Sequence, residues 1–299
     1  MILLKRYRID RKVGSGNFGQ VYRGVNIVTK QPVAIKIEKS RTKGRFQLDK
    51  EYKIYKKLSD APHWARVYDY KYQDYRAVMV MDLLGLNLDQ VFQKFNRSFK
   101  ATIIGYMAQK MISTIQTFHS MGYLHRDIKR QNFLIKHNSI ENLAQDIFPE
   151  IYLVDYGISK SLDAVTQEDY TNEHNKLEGT VPYASPYCHL GIVNSRRDDL
   201  LSLAYVLIYF ARGSLKWQNL DHRRFSKEDY HRNVMMMKLS LCPEKIVGLD
   251  DGKDGLLRIV LLNFYLMVFS LKVGEIPSYE HLKSLFQPLL TEFNGYITV

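Results

Sequence analysis

Between Tyr7 and Lys39 apolar and polar residues alternate in three short runs, Tyr7 to Lys12, Gln20 to Asn26 and Pro32 to Glu38, separated by glycine-containing or polar turns. Alternation with a period of two sends successive side chains to opposite faces, so these runs predict three antiparallel strands. Over residues 46–58 the interval changes: Phe46, Tyr52, Ile54, Tyr55 and Leu58 recur at helical spacing, which predicts a helix. Tyr68 to Tyr72 and Ala77 to Met81 return to the strand pattern. Past Leu83-Leu84-Gly85 the character shifts, because Ile103 to His119, Leu200 to Phe210, Leu256 to Leu271 and Tyr279 to Leu290 each predict a packed helix. No longer period recurs, and no proline- or serine-rich linker appears. The fold class expected is α+β and bilobal within a single domain over residues 1–299. A small antiparallel sheet with one helix fills about 7–81, a junction follows at 82–85, and a larger, mainly helical part fills about 86–290.

Composition narrows the function classes. Hydrophobic residues make up 45% and charged residues 25% of the 299 positions, which excludes disordered, collagen-like and low-complexity chains. The longest apolar stretches, Leu200 to Phe210 and Ile259 to Leu271, are shorter than the roughly eighteen residues of a membrane span, so no membrane partner is expected. Cys188 and Cys242 cannot build a disulfide framework and no apolar signal segment follows Met1; the expectation is a cytosolic or nuclear location. The net charge is +12, and +11 of it falls in residues 1–85. A basic front end on a neutral body suits a polyanionic partner, whether a nucleotide, an acidic protein or nucleic acid, and equally suits a plain solvated surface.

Three segments carry candidate chemistry. Gly14-Ser15-Gly16-Asn17-Phe18-Gly19-Gln20-Val21 spells G-x-G-x-x-G-x-V between two predicted strands. A dinucleotide-binding turn would lead from a strand into a helix, so the strand that follows argues against that fold. Glycines let a hairpin backbone lie against phosphates, although an ordinary glycine turn reads the same way in isolation. Val33-Ala34-Ile35-Lys36 then places a lysine on an apolar strand, where an ammonium can pair with α- and β-phosphate oxygens if a carboxylate steadies its stem. Glu51 on the predicted helix is the candidate partner.

The third segment is His125-Arg126-Asp127-Ile128-Lys129-Arg130-Gln131-Asn132, followed later by Asp155-Tyr156-Gly157. Phosphoryl transfer to a hydroxyl needs a carboxylate at the acceptor proton, a cation on the transferring phosphate and oxygen ligands for Mg²⁺. Asp127 suits the first role and Lys129 the second, with Asn132 and Asp155 for the third. The alternative is that Asp127 and Asp155 merely cap local turns.

In this order the set G-x-G-x-x-G-x-V, V-A-I-K, H-R-D-x-K-x-x-N and D-[F/Y]-G resembles the eukaryotic protein kinase domain over about residues 7–290. Finer runs resemble the casein kinase I family. They are Leu83-Leu84-Gly85 with Asn87-Leu88, Gly179-Thr180 with Tyr183-Ala184-Ser185, His189-Leu190-Gly191-Ile192, Ser195-Arg196-Arg197-Asp198-Asp199-Leu200 and Arg212-Gly213-Ser214-Leu215 with Trp217-Gln218. The usual A-P-E triplet is replaced by Ser185-Pro186-Tyr187, as in divergent members. The resemblance implies a bilobal protein kinase fold with ATP and Mg²⁺ as cofactors. Val13, Val21, Ala34 and Leu134 would sandwich the adenine, with Met81 behind it and Asp82 to Leu84 as hinge. Residues from Gly14 through Ser15, Gly16, Asn17 and Phe18 to Gly19 would cover the phosphates, and Asp199 would hold the backbone of the catalytic loop. Lys129, two residues after Asp127, points to serine and threonine acceptors on protein substrates, expected to be acidic.

Several positions depart from that pattern. Pro182 stands where the family has an arginine that binds phosphate, and proline brings neither charge nor amide donor. Arg223 and Arg224 could form part of an anion site; Pro182 weakens the case for phosphate-primed substrates and leaves acidic unprimed sequences open beside them. Tyr156 adds a hydroxyl that needs a partner if buried. Arg130-Gln131 replaces proline-aspartate, and Ala204 replaces glycine. Lys136 to Glu150 forms a polar insertion, expected as an enlarged surface hairpin and alternatively as a docking element. Thr166, Tyr170 and Thr171 are candidate phosphorylation sites, with Arg126 as the receiving cation, although kinases resembling casein kinase I are generally active without that event. A monomer without an autoinhibitory tail is expected. The rival to an active enzyme is a pseudokinase or scaffold. A nucleic-acid-binding function lacks any recognition-helix, zinc or aromatic single-strand signature.

Overall fold

The computed structural model describes residues 2–16, 19–39, 46–59, 64–73, 75–136, 149–164, 177–220, 222–248 and 255–291. The chain forms two compact units, Met1–Leu86 with Leu134–Gly157, and Asn87–Phe133 with Ile158–Val299.

The first unit is built on an antiparallel sheet of strands β1 (Ile2–Leu3), β2 (Tyr7–Gly16), β3 (Gly19–Asn26), β4 (Pro32–Lys39), β5 (Val67–Gln73) and β6 (Arg76–Asp82), in the order β1-β2-β3-β4-β6-β5. Strand β4 is central, and Val33 to Ile37 are all buried. That explains its near-continuous apolar sequence, since a strand covered on both faces loses the alternation of an exposed one. On one face Leu3, Tyr7, Val33, Ile35, Ile37, Val78 and Val80 form a core cluster. Helix α1 (Gln47–Lys57) buries Leu48, Glu51, Ile54 and Tyr55 and packs against β5 and β6. Strand β2 runs on to Gly16 because the hairpin glycines themselves pair, Gly16 opposite Gly19. Strand β8 (Phe133–Ile135) pairs with β9 (Ile151–Leu153), and the Ile135 carbonyl accepts from the Gly85 amide at 2.8 Å. The centre of the polar insertion, residues 137–148, lies outside the described residues.

The second unit is mainly helical. Its elements are α2 (Leu88–Lys94), α3 (Ala101–Ser120), α4 (Pro186–His189), α5 (Arg196–Arg212), α6 (Lys227–Ser240), α7 (Pro243–Val247), α8 (Gly255–Ser270), α9 (Tyr279–Ser284) and α10 (Gln287–Thr291). Strand β7 (Tyr123–Leu124) pairs with β10 (Lys160–Ser161). Helix α5 is buried on every side from Leu200 to Phe210, the environment that an all-apolar helix requires. It packs on α3 and α8. A capping box of Ser195 and Asp198 starts it and Gly213, at φ 78°, ends it, so both ends satisfy otherwise unpaired backbone groups. Asn87 and Gln90 form a second capping box at α2.

The single helix expected over Tyr279 to Leu290 is two helices. Pro288 has no N–H, and inside a continuous helix its ring would collide with the carbonyl four residues back; at the first turn of α10 it fits. Helix α6 escapes a periodicity reading because its buried residues are only Val234 and Lys238. Phe92 is fully buried between Phe99, Tyr209 and Phe210, with ring centroids 4.9, 5.6 and 5.2 Å away. Phe92→Ala is expected to lower unfolding free energy by about 3–5 kcal/mol, measured by urea denaturation.

Candidate active site

In the first unit the register of β3, β4 and β6 aligns the functional side chains. Val21 lies opposite Lys36, and Ala34 lies opposite Met81. Directly paired residues share a face, as do residues two apart on one strand. Val21, Ala34, Lys36 and Met81 are therefore presented together, on the face opposite the core cluster. Gly14, Ser15, Gly16 and Gly19 lie on the β2–β3 hairpin that leads into Val21. At Gly19 φ is 145°, and a Cβ would stand 2.5 Å from the Ile37 carbonyl oxygen, so any side chain there would push the hairpin off the sheet. Asn17 and Phe18 lie outside the described residues. Val13 is half exposed, and Leu84 and Leu134 are partly buried.

Lys36 is buried, and its Nζ donates to Glu51 Oε2 at 2.6 Å and to Asp155 Oδ1 at 3.0 Å. Burial alone would discharge the lysine, but the two carboxylates outweigh it and hold its pKa above the ordinary lysine value. Burial likewise pushes Glu51 up against the pull of Lys36. Asp155 occupies the left-handed region at φ 69°, a conformation that costs an aspartate energy and persists where surrounding contacts enforce it. Tyr156 is fully buried beside Tyr55 and Trp64, and its hydroxyl finds the required partner in the Leu153 carbonyl at 2.5 Å. The Asp82 carboxylate is engaged locally: it accepts from the Arg66 amide at 2.8 Å and from the Tyr68 hydroxyl. Any nucleotide contact at this position falls to the backbone.

In the second unit Asp199, on the first turn of α5, is fully buried. It accepts from the His125 amide at 2.8 Å, the Arg126 amide at 2.8 Å and His119 Nε2 at 2.9 Å. Burial favours the neutral acid, but the hydrogen bonds from His119 and the His125 amide prevail, and its pKa lies below the usual aspartate value. Arg126 is held at φ 67°. Its Nε donates to the Ile158 carbonyl at 2.7 Å, and its guanidinium forms an ion pair with Glu178. Asp127 follows. Its Oδ1 accepts from Thr180 Oγ1 at 2.6 Å and its Oδ2 from Lys129 Nζ at 2.6 Å. Asn132 Nδ2 donates to the Asp127 carbonyl at 2.9 Å, which leaves the amide oxygen of Asn132 for another partner.

The motif runs point to Asp127, Lys129, Asn132 and the Asp199 anchor, but nothing in the sequence gives a role to Glu178, and Thr180 stands there only as part of a run. Glu178 supplies Arg126 with an anion from within the chain, whereas the candidate loop hydroxyls Thr166, Tyr170 and Thr171 lie outside the described residues. Asp89 accepts from Arg130 Nε at 2.6 Å and Gln131 Nε2 at 3.3 Å, so the unusual Arg130-Gln131 pair has a local anchor. Pro182 lacks an amide donor, but its carbonyl accepts from Trp217 Nε1 at 2.8 Å. Ala204 is buried within α5. Arg223 and Arg224 are exposed on a short 3-10 helix over His222–Arg224. No spacing rule links His119 to Asp199 or Glu178 to Arg126; both pairs require the folded chain.

The donor atoms of Asn132 and Asp155 are oxygens, the ligand type that suits a hard cation such as Mg²⁺. Among the described residues no group of three or more histidine, cysteine, aspartate or glutamate side chains is arranged to hold a metal ion. No helix of the described residues is long and apolar enough to cross a membrane.

A glycine hairpin, a strand lysine paired to a helix glutamate, and an aspartate loop anchored from a buried helix define a protein kinase domain. Residues 7–254 match that family, and the chain belongs to it. It is also 37% identical over 292 residues to Casein kinase I homolog 3 of Schizosaccharomyces pombe, an alignment covering 96% of this chain and 63% of that protein. The chain thus spans less than two thirds of the length of this relative.

Asp199→Asn replaces a buried acceptor with a group that cannot accept from all three donors. It is expected to cost about 1–3 kcal/mol near neutral pH. Because the folded pKa of Asp199 is depressed, its contribution is present above the unfolded value of 3.8 and fades as the pH falls below it. Urea titrations of both proteins should therefore converge in strongly acidic buffer. A gap that stays constant through that range would contradict the linkage.

Proposed function

We propose that the chain is a serine/threonine protein kinase of the casein kinase I type, transferring the γ-phosphate of ATP to hydroxyls of protein substrates. The observation that carries this reading is the triad of Lys36 with Glu51 and Asp155 at 2.6 and 3.0 Å. A scaffold that has lost catalysis has no need to keep a buried ammonium charged between two carboxylates. The similarity to a casein kinase I homolog supports the same conclusion.

In this reading Asp127 orients the acceptor hydroxyl and takes its proton, while Lys129, already bonded to Asp127 Oδ2, neutralises charge on the transferring phosphate. Thr180 holds the other oxygen of Asp127 and so fixes the direction in which the carboxylate presents itself. Lys36 would pair with the α- and β-phosphates, and Glu51 keeps its stem in place. Val21, Ala34 and Met81 offer apolar surface to an adenine. Asn132 and Asp155 would hold Mg²⁺, which neutralises phosphate charge when bound.

Acidic, unprimed protein sequences are the proposed substrates, because Pro182 carries no charge and exposed Arg223 and Arg224 provide a basic surface in the second unit. A reducing cytosolic or nuclear location belongs to the same proposal; Cys188 and Cys242 are both unpaired.

Labelled ATP with an acidic protein such as casein provides the test. Asp127→Asn and Lys36→Met should each reduce transfer by about 100-fold or more. Wild-type protein that transfers no more label than these variants would remove the enzyme reading in favour of a scaffold. Paired peptides, with and without phosphoserine upstream of the acceptor, address substrate class: similar kcat/KM for the two is expected, and a strong preference for the phosphorylated peptide would overturn the unprimed assignment.

A further inference from the structure

Lys238, on α6, is a second buried lysine, and its surroundings differ from those of Lys36. Its Nζ donates to the Val181 carbonyl at 2.8 Å and to the Ala184 carbonyl at 2.7 Å, and lies 3.2 Å from His189 Nε2. It sits over the rings of Trp217 and Tyr205, 5.0 and 5.1 Å from their centroids. Among the described residues no carboxylate forms an ion pair with it. Burial, with no carboxylate to offset it, lowers its pKa well below the ordinary lysine value. His189 is lowered to about 3 by burial and by Lys238, so it is neutral. An ammonium and a neutral amine can each serve both carbonyls.

What Lys238 grips is the stretch immediately after Thr180. Trp217 Nε1 bonds the Pro182 carbonyl in the same stretch at 2.8 Å. Three carbonyls between residues 181 and 184 are thus fixed by two side chains from outside the segment. Thr180 at its head donates to Asp127 Oδ1 at 2.6 Å and accepts from Lys129 Nζ at 3.2 Å.

We infer that Lys238 is a positioning residue for the protein acceptor: by pinning Val181 and Ala184 it holds Thr180 in register with Asp127, and so sets where an incoming hydroxyl meets that carboxylate. The inference rests on the kinase reading. Lys238 touches none of the residues assigned to the nucleotide, so its loss should fall on the acceptor side of the kinetics.

Lys238→Met keeps the apolar stem and removes the donors. With an acidic peptide as acceptor, kcat/KM for the peptide should fall by about 10- to 100-fold, while KM for ATP stays within about twofold of wild type. Active protein is counted by nucleotide-binding stoichiometry, so a merely destabilised variant would lose binding sites and leave the kinetics per site unchanged. Trp217→Phe, which removes the bond to Pro182 together with part of the ring beneath Lys238, should shift the same parameter in the same direction and serves if Lys238→Met does not fold. Unchanged peptide kcat/KM per active site, or equal losses toward ATP and peptide, would overturn the positioning role. A wild-type protein with no transferase activity would instead remove the kinase reading itself.

Discussion

A carboxylate sealed inside the helical unit determines how the rest of that unit is arranged. Asp199 accepts from two consecutive backbone amides and a histidine. A buried charge is tolerable only when such donors surround it, so the loop that supplies the amides has little freedom to move away. Fixing those amides puts Arg126 in the left-handed region and delivers Asp127 next in line. Its neighbour Asp198 works in the other direction. One oxygen accepts from the Ser185 hydroxyl at 2.5 Å and the other from the Ser195 amide at 2.7 Å. Two adjacent acidic residues on the first turn of α5 thereby tie down the loop carrying Asp127 and the start of α4, and a helix buried from Leu200 to Phe210 anchors both.

Two buried lysines show how surroundings decide what a side chain does. Lys36 faces Glu51 and Asp155 and stays firmly protonated; Lys238 faces carbonyls, a neutral imidazole and two rings, and burial pulls its pKa down. The first arrangement presents a strong cation to an anionic ligand. The second is enclosed by backbone carbonyls and rings and is suited to gripping backbone. The same electrostatic rule, desolvation opposed by neighbouring charge, accounts for both.

Positions where the chain departs from its family are compensated locally. Arg130 and Gln131 share Asp89, and the Arg130 guanidinium lies 3.9 Å from the centroid of the Tyr209 ring. The hydroxyl of Tyr156 is absorbed by the Leu153 carbonyl. Glu178 occupies Arg126 and lies directly before Gly179, whose φ of 99° and close approach to the Arg126 carbonyl leave no room for a Cβ. The chain itself thus supplies the anion that Arg126 pairs with.

The sequence alone determined strands β2 to β6 and helix α1 of the sheet unit, the helices α3, α5 and α8, and the short list of groups able to handle a phosphate. Those features are local: periods of two and of 3.6 are written into neighbouring residues, and the candidate chemistry sits within contiguous runs. Tertiary structure decided the partners. His119 meets Asp199, Glu178 meets Arg126, Thr180 meets Asp127 and Lys238 meets Val181 and Ala184 only because distant segments are folded together. The sparse apolar pattern of α6 and the break at Pro288 show the same limit, since packing rather than periodicity sets what those segments become. Hydrogen bonds and ion pairs depend on distances of about 3 Å, and a linear order of residues carries no such distance until hydrophobic burial has brought the chain together.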